Sequence, residues 1–433
     1  MLASAAMGPV QDTYDLMLYR AATSFLGVAH YDCLLCHNGR GHLDQLSLWA
    51  ANSTRMQAQR MAAHFSRLRL AAVPNTKQYE HPLYNSTEVQ DAPTGTYDLN
   101  TNFGNRPGRC ANALPLNEQG RCNATQSITP EYRDGSAPKD GNWRVAFASK
   151  MIDDPLFGMN FANRLWKQFF GLGLVDPVDT LDPERLDPQN LPQAPWTLQA
   201  SLPELLVQLG RHFLETNSDL RTFLRTIVRS SAYQLSSRYD GQWKLEYVPL
   251  YARHYPRRLS AEEIHDAVVK STGMNQRYTY PTVNGQTVTQ GSALPQSSPV
   301  EWAMELPDIN EPRNNAGNGN VFMSAFHRGN RDTAQRSNAG SILQQLNLMN
   351  DQFVTTRVKT AASPTLRELA KLTDNVALVD ELFLNFLSRR PNDSERSQAV
   401  EYLKKQTTPA GRNTALEDLA WVCVNKIDFL FSY

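Results

Sequence analysis

Apolar residues recurring every three or four positions constrain this chain most. Leu202, Leu205, Leu206, Leu209 and Phe213 share one helix face, as do Leu220, Phe223, Leu224, Ile227 and Val228. The same spacing returns at Ile342, Leu346 and Met349, at Leu378, Leu382 and Phe386, and in the tail "ALEDLAWVCVNKIDFLF". It fails twice, over about 73–142 and about 274–320, where Pro, Asn, Gly and Thr dominate. The pattern predicts a mainly α fold with two long irregular excursions. We expect three regions: a short helical segment over 1–72, an irregular insertion over 73–142, and a helical domain over 143–433.

Local signals sharpen several helices. "YDLMLYRAATSFLG" (14–27) reads as a short amphipathic helix closed by a glycine. Residues 43–71 read as one helix, with Leu46, Trp49, Met61 and Phe65 at apolar positions. Pro155 marks a helix start and Gly171 its end. Ser260 followed by Glu263 is a capping-box pattern opening 259–273. Asn284-Gly285 suits a hairpin turn.

Lys plus Arg and Asp plus Glu number 43 each, which argues against a broad electrostatic nucleic-acid surface. No apolar run reaches the roughly 18–20 residues that span a bilayer. Five cysteines are unevenly placed. Cys110 and Cys122 fall in a polar loop, where a disulfide would tie down a long irregular stretch. Cys423 stands alone in the apolar tail.

The other two cysteines lie in "YDCLLCHNGRGH" (31–42). C-x-x-C-H is the attachment sequence of c-type haem. Two thiols must reach one edge of one macrocycle, and the adjoining histidine supplies a nitrogen to iron. Cys33 and Cys36 are the candidate thioether anchors and His37 the proximal ligand. Three other readings compete. A thioredoxin-like pair wants a βαβ context that does not surround Cys33. A zinc site wants a second ligand pair, and His42 and His64 match no common zinc module. Simple packing leaves the grouping unexplained. Distal candidates are His64, Met61 and His42, with Met56 and His30 nearby. Arg40 is a candidate for a haem propionate.

Further along, "AFHRGNRD" groups His327, Arg328, Arg331 and Asp332, which reads best as a structural ion-pair network. The acidic stretch near 179–187 reads as a solvated turn. No Gly-rich nucleotide loop or Ser-His-Asp pattern is present.

Several of these segments together resemble a planctomycete- and acidobacterial-type cytochrome c family with two adjoining domains of unknown function. They are "FLGVAHYDCLLCHNGRGHLDQLSLW", "DPLFGMNFANRLWKQFFGLGLVDPVDTLD", "RRLSAEEIHDAV" and "GNRDTAQRSNAGSILQQLNLMND". Many members carry a histidine two residues after the proximal one; here "NGRG" separates His37 from His42. One covalent haem c and a large helical block without visible chemistry point to a redox partner protein or complex, with electron transfer or a structural role ahead of a haem enzyme with an open distal site. Haem c is attached outside the cytoplasm, so a periplasmic or cell-surface location follows. Because "MLASAAMGPVQDTYDL" is no secretory signal, Met1 is then expected to lie within a longer precursor or to follow processing.

Overall fold

In the computed structural model the described residues are 10–72, 87–98, 127–275, 282–283, 286–287, 302–306, 318–329, 336–337 and 339–432. Helices dominate, so the chain is mainly α. The described residues form two units, one of 10–72 and 87–255, the other from 256 onward. No described helix is long and apolar enough to cross a membrane.

In the first unit, α1 (Val10–Ala21) runs into a π-helical turn (Ala22–Leu26) that closes on Gly27 in the left-handed region, as its sequence predicts. The single helix expected over 43–71 is broken. Ser47 caps α3 (Leu48–Asn52) by accepting from the Ala50 N–H at 3.2 Å. Thr54 and Gln57 then form a reciprocal capping box that starts α4 (Arg55–Ala63). Residues Leu68–Ala72 form β1, antiparallel to β2 (Thr87–Asp91). Two hydroxyl residues seven positions apart stop and restart the helix, a local preference that outweighs the apolar period. Leu46 is correspondingly exposed, while Met61 and Phe65 are buried.

Within the stretch read as irregular, β3 (Tyr97–Asp98) pairs with β4 (Ser127–Ile128). Cys110 and Cys122 lie outside the described residues. Helix α5 (Trp143–Asp153) precedes α6 (Pro155–Phe170), which has Pro155 in its first turn and Gly171 as its left-handed cap. Asp154 sets the start of α6 by accepting from the Leu156 N–H at 3.0 Å. Helix α7 (Pro203–Glu215) crosses α6 at paired glycines: a Cβ on Gly158 would lie 2.3 Å from the Gly210 carbonyl oxygen. Helix α8 (Leu220–Val228) adds Phe223 and Ile227. Leu18, Leu26, Leu34 and Met61 belong to the same core as Trp166, Phe170, Leu206 and Phe223. The line drawn at 142/143 from periodicity therefore does not part the cores; apolar burial continues across it, at about 1.5–3 kcal/mol per large side chain.

The second unit begins with β5 (Arg257–Arg258), antiparallel to β8 (Phe431–Ser432). Helix α9 (Ala261–Thr272) carries both bonds of the Ser260–Glu263 capping box. β6 (Thr282–Val283) pairs with β7 (Gln286–Thr287), bracketing Asn284-Gly285 as the turn signal predicts. The remaining helices are α10 (Asn318–Ala325), α11 (Ile342–Asn350), α12 (Gln352–Arg357), α13 (Pro364–Leu369), α14 (Asn375–Leu387), α15 (Asp393–Lys404) and α16 (Pro409–Asn425). Their core includes Val268, Phe322, Phe353, Leu378, Leu382 and Cys423. Burial pushes the Cys423 thiol up to about 12, so it packs as a small apolar group.

Candidate functional site

The C-x-x-C-H stretch folds as one helical turn. α2 spans Tyr31–Leu34, and the turn carries on as His37 donates its N–H to the Cys33 carbonyl at 3.2 Å. Helical spacing divides its side chains. Tyr31, Leu34 and Leu35 point into the core and are buried. Cys33, Cys36 and His37, at i, i+3 and i+4, form the other stripe and are half-buried.

A hydrogen bond orients the His37 ring. Its Nδ1 lies 3.0 Å from the Asn38 carbonyl oxygen. A carbonyl can only accept, so Nδ1 carries the proton and the neutral ring keeps its lone pair on Nε2. His42 lies against His37, with ring centroids 4.0 Å apart and the planes tilted by 32°.

The loop after His37 is pinned to α3 and α4. The Asn38 side-chain oxygen accepts from the Arg55 N–H at 2.9 Å, and the Gly39 N–H donates to the Ser53 carbonyl at 3.0 Å. A Cβ on Gly39 would sit 1.6 Å from the Ala50 carbonyl oxygen, so no side chain fits there. The "NGRG" spacer is thus a close backbone crossing.

More distant residues hold the turn from the other side. The Ala29 N–H donates to the Asp179 carbonyl and the Leu181 N–H to the Gly27 carbonyl, each at 2.9 Å. The Arg164 guanidinium of α6 bonds the Thr23 carbonyl at 2.7 Å and pairs with Asp179. Asn160 reaches the Ser24 carbonyl at 2.9 Å. These groups satisfy carbonyls at the π-helical turn just before the site. Asn163 makes two bonds to Val175, 2.8 Å to its carbonyl and 3.0 Å from its N–H.

Asp182 corrects the reading of 179–187 as a solvated turn. It is buried and accepts from the Leu48 N–H at 2.6 Å and the Trp49 N–H at 3.0 Å. Its partners lie far away in sequence, which is why the acidic run looked solvated. The Asp-Pro step, shared with Asp154-Pro155, marks only its local cap, where it accepts from the Glu184 N–H at 3.2 Å.

The other candidates scatter. Met61 and His64 are 1% and 2% exposed. His64 Nδ1 donates to the Met61 carbonyl at 3.0 Å, its ring lies 5.5 Å from Phe147, and burial pushes its pKa down. Arg40 is exposed and reaches Asn52 at 3.3 Å. Sequence reasoning missed Arg55, which is buried close enough to Cys36, Asp15 and Tyr97 to interact with them electrostatically. Burial pushes its pKa down, against the pull of those groups. Nothing in the helical period distinguishes Arg55 from a surface arginine.

In the second unit, Arg328 enters the ion-pair network expected of it. It donates to Glu262 Oε1 at 3.1 Å, and Arg336 reaches the same oxygen at 2.7 Å. Arg331 and Asp332 lie outside the described residues, and His327 is exposed. Glu262 was overlooked because the start of α9 had been read only for its cap.

Comparison with known proteins changes one expectation. The resemblance to a cytochrome c family is not upheld. The matching family profile covers residues 143–403, outside the Cys33–His42 stretch, and describes proteins of unknown function. Among the described residues no group of three or more His, Cys, Asp and Glu side chains is arranged to hold a metal ion. The segments that carried the resemblance in the later chain, the Asn163–Trp166 stretch and "LSAEEIHDAV", are fold-forming clamps and caps, and they carry no cytochrome signal. No curated protein and no solved structure gives a significant match. With more than half of its length matched, the chain belongs to PSD1, the family described as protein of unknown function (DUF1553).

Proposed function

We propose that the chain carries one haem c on the turn at Cys33, Cys36 and His37, and serves outside the cytoplasm as an electron-transfer subunit that docks to a redox partner. One observation carries this reading: the two cysteines and the histidine share a half-exposed stripe, with His37 Nδ1 bonded to the Asn38 carbonyl. That bond leaves Nε2 as the nitrogen available to iron. The residues fit the group because attachment needs only two thiols on one edge and a single axial nitrogen.

When bound, the haem supplies one-electron chemistry; the chain supplies orientation. The Asn38 carbonyl holds the His37 tautomer, and the Gly39 crossing fixes the loop behind it. Arg55, buried within electrostatic reach of Cys36, joins exposed Arg40 as a candidate for a propionate. Met61 and His64 are packed in the core, and His42 lies against His37. That arrangement supports a second reading, in which the sixth position is left to a small external ligand.

The test is a pyridine haemochrome spectrum on protein matured with haem-c machinery, then extracted with acid–acetone, beside a Cys36→Ala control. Haem retained through extraction with a c-type α-band supports the anchor, and the control should lose one thioether and shift the band. Absence of retained haem would sink the reading and turn attention to thiol counting at Cys33 and Cys36.

A further inference from the structure

Behind α2, on the side opposite the cysteines, the first unit has a partly open cavity of about 120 Å³. Leu34, Ala58, Met61 and Trp49 supply its apolar lining, to which Ser53 and Gln57 add polar groups. The Tyr31 and Trp49 rings meet edge to face, 5.1 Å apart. One end is polar. Tyr132 and Arg133 line it and are already engaged: the Tyr132 hydroxyl donates to Asp154 at 3.1 Å, and Arg133 bonds both Asp154 oxygens at 3.0 and 2.8 Å. At the rim, Glu131 pairs with Arg60 at 2.6 Å.

These ion pairs balance, so the cavity offers no net charge to an ionic ligand. Tyr31 differs from its neighbours. Among the described residues no hydrogen bond is made by its hydroxyl, although Arg133 and Asp154 both act on it electrostatically. Burial pushes its pKa far up, so it stays a neutral O–H donor. The hydroxyl is not among the fully buried unsatisfied atoms, so it keeps some open surface and its O–H is available to an acceptor supplied by a ligand. For scale, an apolar cavity of about 150 Å³ takes benzene.

We propose that this cavity binds a neutral, single-ring organic molecule of about five or six ring atoms bearing one hydrogen-bond-accepting oxygen, with Tyr31 as the donor and Trp49 and Met61 as the apolar walls. The inference is independent of haem attachment, since its residues lie on the other face of α2.

The test is calorimetric titration of the full chain with cyclopentanone, and with cyclopentane as the counterpart lacking oxygen. Two variants separate the contributions. Ala58→Leu places three more carbons in the cavity, and Tyr31→Phe removes only the hydroxyl. We expect saturable one-to-one binding of cyclopentanone that falls at least about tenfold in Ala58→Leu. In Tyr31→Phe it should fall about three- to tenfold, the effect of one hydrogen bond, with cyclopentane unchanged. Circular dichroism and thermal unfolding check that each variant is folded. No saturable binding to the wild type overturns the proposal, as does unchanged affinity in a folded Ala58→Leu. If Ala58→Leu does not fold, Tyr31→Phe decides alone: equal affinity for cyclopentanone overturns the proposal.

Discussion

Two helices carry reactive side chains at the same spacing, with opposite outcomes. On α2, Cys33, Cys36 and His37 stand at i, i+3 and i+4; on α9, Glu262, His265 and Asp266 do. The α9 stripe points inward. Glu262 accepts from Arg328 and Arg336, and His265 Nδ1 lies 2.8 Å from Asp266, which also accepts from the Ala303 and Met304 N–H groups. The His265 ring lies against Phe353, 4.6 Å between centroids. The α2 stripe points outward, and His37 keeps one ring nitrogen uncommitted. Identical spacing therefore says nothing about availability. What separates the two histidines is how far their rings are already engaged within the protein: that of His265 is held on Asp266 in the core, while His37 spends only Nδ1 on the Asn38 carbonyl.

The comparison breaks most visibly at Glu262. In Glu262→Ala the buried Arg328 loses the Glu262 carboxylate that its Nε bonds, and we expect about 3–5 kcal/mol of destabilisation in denaturant unfolding of the full chain. A loss under about 1 kcal/mol would mean that the α9 stripe is not structural. Next is Gly39→Ala, whose Cβ collides with the Ala50 carbonyl; about 3 kcal/mol is expected, read from the same unfolding curves. Asn163→Ala should cost about 2–3 kcal/mol, since it orphans both the N–H and the carbonyl of Val175.

A pH series sharpens the contrast further. Burial holds His64 and His265 below the ordinary histidine pKa in the folded state. The unfolded chain therefore binds protons first as pH falls through about 6.5, and stability declines below that value while holding steady above it. Thermal unfolding between about pH 7.5 and 5 should show a falling midpoint, with a shallower fall in His265→Gln. The smallest effect is expected at the outward stripe. Cys36→Ser in haem-free protein should change stability by under about 1 kcal/mol, because the thiol is only half-buried.

Local chemistry was the legible part of this fold. The Ser260 capping box, the Pro155 start, the Gly171 stop and the Asn284-Gly285 hairpin are interactions between neighbours in sequence, and each is present. The break between α3 and α4 was equally local, in Thr54 and Gln57, but the apolar period masked it. Long-range partners were illegible. Nothing near Asp182 announces that it caps a helix more than a hundred residues earlier, and nothing near Arg55 announces burial within electrostatic reach of Cys36. At the site, spacing alone indicated that Cys33, Cys36 and His37 share a face. Excluding Met61 and His64 from it required knowing which face of α2 meets the core.

The bonds from Gly27, Ala29, Leu48 and Trp49 to residues 179–182 also set an order of events. Until that later segment exists, α3 has no cap at its first N–H groups and the π-helical turn has no clamp. At about 5–20 residues per second of synthesis, the roughly 145 residues between Cys36 and Leu181 take about seven to thirty seconds to arrive. For that interval the cysteine turn has its contacts to residues 53–55 but lacks the clamp from 179–182. Docking of residues 179–182 is therefore the step that commits one face of the turn to the core.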